Sequence, residues 1–387
     1  MDASFFIASR IRFKGRLVVV SIAISYLVMI IALAVSSGFR HEIRQGLSEI
    51  CGDVQITPQN ADPLDGQAYI SASPSYMPML KDIDGVEDVR PVVYRAGIVK
   101  NDDKIHGVVF KGIHSSDTSA LGVSIPRRLT EISGLEAGNR MLAYFVGGKV
   151  KMRQFTVTSV YDALVETDDK LIVYASLKDM QRLNGWDEDK ASGLELILDP
   201  SFRNESDMYD VAHLAGAVAY ENSKDTDESV YASSAVSRYP QLFDWLGLID
   251  FNVLFILVLM TVVAGFNMIS GLLIMLFENI STIGLLKSLG MTDRAISKVF
   301  LSSSAVLVLK GMTIGNLLAF VFCLIQGTTH ILHLNPENYF VSFVPVNINW
   351  GLVVSADILS FAVIMLLLLI PCIFISRVDP AETVRVK

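Results

Sequence analysis

Charge is scarce in this sequence. Only 19% of its 387 residues are Asp, Glu, Lys or Arg, against 51% hydrophobic. That excludes a disordered or solvating chain, which needs low hydrophobicity and high charge. Basic residues are in deficit, 32 against 40 acidic, for a net charge of −8. A nucleic-acid binder normally shows a basic surface, so that class is disfavoured. Cysteine is nearly absent. Cys323 and Cys372 fall in apolar runs, leaving Cys51 alone in the polar part, where no internal disulfide is possible. A phosphate loop of the GxxxxGK[ST] kind is missing, because Gly147-Gly148-Lys149-Val150 fails after the lysine. The six histidines, at 41, 106, 114, 213, 330 and 333, are scattered, and the i, i+3 pair His330 and His333 lacks a third metal ligand. Asp168-Asp169 and Asp187-Glu188-Asp189 read as solvated turns, and Asn204-Glu205-Ser206 is a weak glycosylation acceptor. No nucleophile–base pair, metal set or cofactor motif stands out, so the chain reads as non-catalytic.

Long apolar runs are what the sequence has instead. Four are long enough to cross about 30 Å of hydrocarbon. They are residues 17–37, 251–277, 299–325 and 352–375, with Lys310 and Asp357 as their sole charges. The first is too long for a signal-peptide core, and no good cleavage site follows it. Lys and Arg set the orientation. Arg10, Arg12, Lys14 and Arg16 precede the first run, Lys287, Arg294 and Lys298 lie between the second and third, and Arg377, Arg385 and Lys387 follow the fourth. Residues 326–351 have neither Lys nor Arg. Both termini (1–16 and 376–387) and the loop 278–298 are therefore expected inside, with residues 38–250 and 326–351 outside. Residues 38–250 hold 21 basic and 33 acidic residues, so the acidity belongs to one exported domain.

That domain reads as α+β in two lobes. Residues 39–47 have helical spacing and continue the first membrane helix as a stalk. Residues 53–58 form a strand ended by Pro58, 76–83 a short helix, and 86–113 a hairpin turning at Asn101-Asp102-Asp103. A second lobe is expected from about residue 125 to 200, with strands near 153–161 and 171–174 and a helix over 177–183. Residues 222–234 read as a polar loop.

The loop 278–298 carries the densest information. Ile280, Ile283, Leu286 and Leu289 recur at i, i+3, which predicts a short amphipathic helix stopped by Gly290. Thr292 caps the next helix, with Asp293 in its first turn. An apolar stripe at this place lies in the headgroup region or in a partner's groove. Within the membrane, Lys310 sits roughly 17 Å from the inner edge and Asp357 about 22 Å, by the helical rise of 1.5 Å per residue. An interhelical Lys310–Asp357 pair is feasible; the alternative is that each faces a polar cavity or snorkels. Gly311 and Gly315 form a GxxxG face, suited to close packing within the subunit or to a subunit seam.

These residues resemble the FtsX-like/MacB-type permeases of ABC transporters. The run Ile283-Gly284-Leu285-Leu286-Lys287-Ser288-Leu289-Gly290 is similar to the family's coupling-helix motif, although Thr282 stands where an acidic residue is usual. Residues 263–272 (VAGFNMISGL), 169–174 (DKLIVY), 339–346 (YFVSFVPV), the Ser37-Gly38-Phe39 exit and the closing residues 379–385 look like the lipoprotein-releasing branch. The resemblance implies four transmembrane helices with a MacB-type periplasmic domain between the first two. It implies an inner-membrane location and a partner ATPase that binds the ATP and contacts Ile283, Gly284, Leu286, Lys287, Leu289 and Gly290. It also implies a second permease copy or sister, lipoprotein cargo and a periplasmic carrier. Mechanotransmission to a cell-wall hydrolase, or efflux, is the alternative function within the superfamily.

Overall fold

The computed structural model describes residues 16–59, 62–101, 104–114, 121–146, 150–163, 171–222, 229–335 and 339–376. The basic residues at 10, 12 and 14, Gly147–Lys149, Asp168-Asp169, residues 223–228 of the expected polar loop and the closing tail lie outside these, and residues 230–234 of that loop form a strand instead. The chain divides into two compact units, one of residues 1–39, 246–332 and 344–387, the other of residues 40–245 and 333–343.

The first unit is helical. Among the described residues four helices, Arg16–Cys51, Pro240–Glu278, Asp293–Thr329 and Trp350–Ile373, are long and apolar enough to cross a membrane. The first three contain the runs 17–37, 251–277 and 299–325, the fourth overlaps 352–375, and the first extends through the expected stalk. Pro240 opens the second helix, where its missing N–H costs nothing. Thr292 caps the third through Ala295 N, as its sequence predicts, and Asn349 caps the fourth through Gly351 N and Leu352 N. The fourth breaks at Leu368 into Trp350–Leu367 and Leu369–Ser376, because Pro371 cannot donate to the carbonyl one turn back.

The first helix is the hub of the bundle. Ile22, Tyr26 and Ile30 are buried, and three glycines let its neighbours approach. A Cβ on Gly271 would stand 2.7 Å from Val18 Cγ2, one on Gly311 2.6 Å from Ile22 Cγ2, and one on Gly315 2.5 Å from the Ala23 carbonyl oxygen. The GxxxG face therefore packs within the subunit, against the first helix. Tyr26 OH accepts a hydrogen bond from Ser360 Oγ at 3.0 Å, and Asn267 Nδ2 donates to Ser21 Oγ. Two separated sequence segments also meet: a Cβ on Gly38 would lie 2.4 Å from the Pro345 carbonyl oxygen, and Asn347 N donates to Ala34 O at 2.9 Å.

Among its described residues the second unit contains eleven strands: β1 (Val54–Pro58), β2 (Ile70–Ser71), β3 (Val86–Asn101), β4 (Lys104–Ile113), β5 (Gly122–Pro126), β6 (Arg140–Phe145), β7 (Lys151–Tyr161), β8 (Leu171–Ser176), β9 (Lys190–Ala191), β10 (Gly193–Leu198) and β11 (Val230–Ser234). Nine form one sheet in the order β11-β1-β10-β3-β4-β8-β5-β7-β6, and β6 pairs again with β3. Strands β3, β4, β8, β5, β7 and β6 thus close into a ring, which removes their free edges. Phe110, Phe145 and Phe155 fill it, with centroids 4.9 Å apart for the first two. Gly97 leaves room for them, since a Cβ there would lie 3.0 Å from both Phe110 and Phe145.

The expected boundary near residue 125 is not where the sheet divides. The long strand β3 serves both parts: residues 86–92 pair with β10, and residues 93–101 with β4. A boundary read along the sequence misses this, because β10 returns from 193–198 to pair beside residues 86–92. The helix Glu205–Asn222, absent from the sequence reading, supports the β11-β1 end. Its buried Met208, Val211, Ala212, Ala215 and Ala219 have helical spacing that could have revealed it. Asn204, read as a glycosylation acceptor, holds this helix start instead, with Oδ1 accepting from Asp207 N at 2.8 Å.

Candidate coupling site

The loop between the second and third membrane helices folds as the short helix Ile280–Ser288, with Gly290 at φ +86° just beyond it. The i, i+3 apolar series does not stay on one face. Each step of three residues turns the helix back about 60°, so Ile280 and Leu289 end up roughly opposite. Ile283 is 1% exposed and Gly284 is buried, while Leu286 packs on the same bundle core. Leu289 is 74% exposed and Leu285, which the sequence series passed over, 55%. The chain itself covers half of the predicted stripe. The exposed residues of this segment are Ile280, Ser281, Thr282, Leu285, Ser288, Leu289 and Gly290. Lys287 pairs with Asp293 Oδ1 at 3.0 Å, its side chain 10% exposed, and this ties the short helix to the start of the next.

Lys310 and Asp357 are not brought together as a pair. Asp357 Oδ2 accepts a hydrogen bond of 2.6 Å from Asn316 Nδ2, while Lys310 is exposed. Six residues separate 310 from 316, which places their side chains about 120° apart around the helix. Only the face carrying Val308, Gly311, Gly315 and Ala319 is buried. Among the described residues, Asp357 Oδ1 and Asn316 Oδ1 have no hydrogen-bond partner. A double-mutant cycle on Asn316→Ala and Asp357→Ala is expected to give a coupling of about 1 kcal/mol in detergent, in the range of polar contacts between membrane helices. The cycle of Lys310→Ala with Asp357→Ala should give near zero. A larger value for the lysine cycle would overturn the assignment.

In the second unit, the end of the first helix is capped by buried charge. Its last carbonyls have no partner within the helix. Lys111 Nζ donates to Glu49 O and Ile50 O, both at 2.9 Å, and Tyr174 OH donates to Glu49 O at 3.3 Å. Arg238 Nη2 donates to Cys51 O at 3.1 Å and Gly52 O at 3.2 Å. Lys111 also pairs with Glu195 Oε2 at 2.8 Å, each side chain 3% exposed, and Tyr94 OH donates to the other carboxylate oxygen. Two cations at a helix C-terminus complement its partial negative charge. Burial pushes the Tyr94 and Tyr174 hydroxyls well above their usual range, aided by the Glu195 carboxylate, so both stay protonated donors. One turn on, Asp53 Oδ2 accepts from Ser48 Oγ at 2.9 Å, Leu198 N at 2.7 Å and Arg203 Nε at 3.2 Å. Burial still raises its carboxyl above the ordinary value. Sequence reasoning missed this cluster, because Lys111, Glu195 and Arg238 are far apart in the chain.

The exposed Asp187-Glu188-Asp189 turn carries surface ion pairs with Lys190 and Lys178, in keeping with its reading as a solvated turn. No group of three or more His, Cys, Asp or Glu among the described residues could hold a metal ion.

Comparison with known proteins places these features. Residues 254–380 match the FtsX-like permease C-terminal family. The chain is 22% identical over 398 residues to the lipoprotein-releasing system transmembrane protein LolC of Xylella fastidiosa, covering 95% of this chain and 92% of the relative. It is 23% identical over 406 residues to LolC of Neisseria meningitidis, with the same coverage. To LolE of Haemophilus influenzae it is 22% identical over 398 residues, covering 94% of this chain and 92% of that one. Among solved structures, the periplasmic region of MacB from Actinobacillus actinomycetemcomitans matches at TM-score 0.31 and 12% identity, over 50% of this chain and 95% of that one. The extracellular domain of the ABC-type transporter YknZ from Gram-positive bacteria matches at 0.30 and 13%, over 47% and 99%. Residues 254–380 thus match the FtsX-like permease C-terminal family, and nearly the whole chain is similar to the transmembrane proteins LolC and LolE of lipoprotein-releasing systems.

Proposed function

We propose that this chain is the permease subunit of an ABC transporter in the bacterial inner membrane. ATP is bound and hydrolysed by a separate ATPase subunit, and the resulting motion of the exported domain releases lipoproteins from the membrane. The observation that carries this reading is the short helix Ile280–Ser288, which turns Ile283 inward and offers Leu285 and Leu289 outward. A rigid surface with two exposed leucines suits the groove of a partner. The basic residues beside it, Lys287, Arg294 and Lys298, support a cytoplasmic position for this loop and both termini, with residues 38–250 in the periplasm. The relatives come as LolC and LolE, which supports pairing with a sister permease or with a second copy.

The test is affinity purification in mild detergent, with mass spectrometry of what is retained. Wild type should retain an ATPase and lipoproteins. The variant Leu285→Asp/Leu289→Asp should lose the ATPase yet remain monodisperse, because both side chains are already exposed. Ile283→Asp should instead damage the bundle itself. An ATPase retained by the double variant would refute the coupling surface. A cell-wall hydrolase or its adaptor in place of lipoproteins would move the function to mechanotransmission.

A further inference from the structure

One polar contact between the third and fourth membrane helices leaves its hydrogen-bond count open. Asn316 Nδ2 donates to Asp357 Oδ2 at 2.6 Å. The other two oxygens, Asp357 Oδ1 and Asn316 Oδ1, are buried and have no hydrogen-bond partner among the described residues. Each is two covalent bonds from an atom of that contact, so both unmatched acceptors belong to one site. An ionised carboxylate and a carboxamide oxygen can only accept. With Asp357 ionised, the site therefore holds a full charge and two orphaned acceptors. It lies roughly 10 Å into the helix Trp350–Leu367, within a segment long and apolar enough to cross a membrane.

No cation offsets that charge among the described residues. The first helix brings Tyr26, whose hydroxyl is bonded to Ser360 Oγ at 3.0 Å. Residues 251–277 of the second contain no titratable side chain. The third carries Cys323, about two turns beyond Asn316, and Lys310, which is exposed and stands about 120° around the helix from Asn316. On the fourth, Asp357 is the sole charge within residues 350–373, and Cys372 lies about four turns on.

We infer that Asp357 is held as the neutral carboxylic acid, its proton on Oδ1 and donated to Asn316 Oδ1. Acid and carboxamide then close a ring of two hydrogen bonds, one in each direction. A single proton removes the charge and satisfies both orphaned oxygens. Alignment needs only the terminal torsions of the two side chains, which are broad. A bare carboxylate with one donor would combine the cost of a charge in hydrocarbon with that of unsatisfied buried acceptors. The ring makes the helix pair pH-sensitive. While the proton stays, the contact is neutral and complete. Its loss sets a negative charge between the two helices, one turn from the Ser360–Tyr26 bond, and opens one side of the ring. This inference rests on the burial of the bundle and stands whatever the partner or cargo of the chain.

The test is infrared difference spectroscopy of the full chain in mild detergent at pH 7, wild type minus Asp357→Asn. An asparagine there supplies an N–H in place of the O–H, so both bonds and the fold should survive. Wild type should show one extra carbonyl band of a protonated carboxyl group, above the amide bands, that shifts in deuterium oxide. Asn316→Ala should keep this band but move it to higher frequency, because the acid loses its hydrogen-bonded partner. The difference between wild type and Asn316→Ala reads the same band without the asparagine variant. Absence of the band from wild type would overturn the proposal, as would a band that Asn316→Ala leaves unmoved. Thermal unfolding between pH 5 and pH 7 gives an independent reading. The unfolded chain releases the Asp357 proton to water over this range, while the folded chain keeps it. The unfolding equilibrium of wild type should therefore rise relative to Asp357→Asn by about tenfold per pH unit, for one proton of difference. Parallel pH profiles would mean that the folded chain holds the carboxylate, and the assignment would fall.

Discussion

Gly315→Leu is expected to unfold the membrane bundle at a midpoint far below that of wild type. Even a single Cβ at this position would stand 2.5 Å from the Ala23 carbonyl oxygen and 2.8 Å from Tyr26 Cβ. The first is backbone and cannot rotate away, so the two helices must separate. Forcing extra atoms into a packed core costs about 1–3 kcal/mol for small additions. A leucine here must also push Tyr26 off the Ser360 hydroxyl, so the loss should lie at or above the top of that range. The measurement is thermal unfolding in detergent followed by size-exclusion chromatography. Gly247→Ala is the internal control. Nothing lies within 4 Å of its added Cβ, and the position is inside the helix Pro240–Glu278. There the alanine should stabilise by roughly 0.5–1 kcal/mol through helix propensity alone. Equal effects from the two substitutions would show that Gly315 is not at a helix crossing.

Lys111→Met should be the most damaging single change in the second unit. It leaves the Glu195 carboxylate buried without its cation, at a cost of about 3–5 kcal/mol. It also strips donors from the carbonyls of Glu49 and Ile50. The double variant Lys111→Met/Glu195→Gln separates these contributions. Removing the negative charge restores what the unpaired carboxylate cost and keeps an acceptor for Tyr94 OH. The helix carbonyls remain short of donors, at about 1–3 kcal/mol for a buried group left unsatisfied. Recovery should therefore be partial. Hydrogen exchange of the full chain in detergent, read at residues 48–56 and 193–198, checks this. Full recovery in the double variant would mean that Lys111 serves only Glu195 and does not cap the helix.

Both predictions involve the first helix, which the sequence presented as an apolar run continued by a stalk. Its 36 residues pass through both compact units. In one it is the surface on which Gly271, Gly311 and Gly315 close, and in the other its end is sealed by Lys111, Arg238 and Tyr174. The separated motifs of the sequence acquire a physical reason from this. Within residues 263–272, Asn267 reaches Ser21 and Gly271 admits Val18, while Gly265 faces Leu367. The Ser37-Gly38-Phe39 exit and the Pro345-Val346 segment are two sides of one close contact.

Local physics was legible in the sequence, and long-range pairing was not. Four apolar runs of spanning length, the Thr292 cap, the Gly290 stop, the strand ended by Pro58 and the hairpin around Asn101 each depend on residues within a few positions of one another. Hydropathy and turn chemistry act at that range, so those elements could be read directly. The partner of Asp357, the burial of Ile283 and Leu286, the division of β3 between two sets of strands and the sealing of the first helix by Lys111 depend on rotation about helix axes and on strands returning from far along the chain. A period of 3.6 residues fixes which side chains share a face, but not which face turns inward. Only the packing of the helices decided that Asn316, rather than Lys310, meets the Asp357 carboxyl group, and that Leu285 and Leu289 are left exposed.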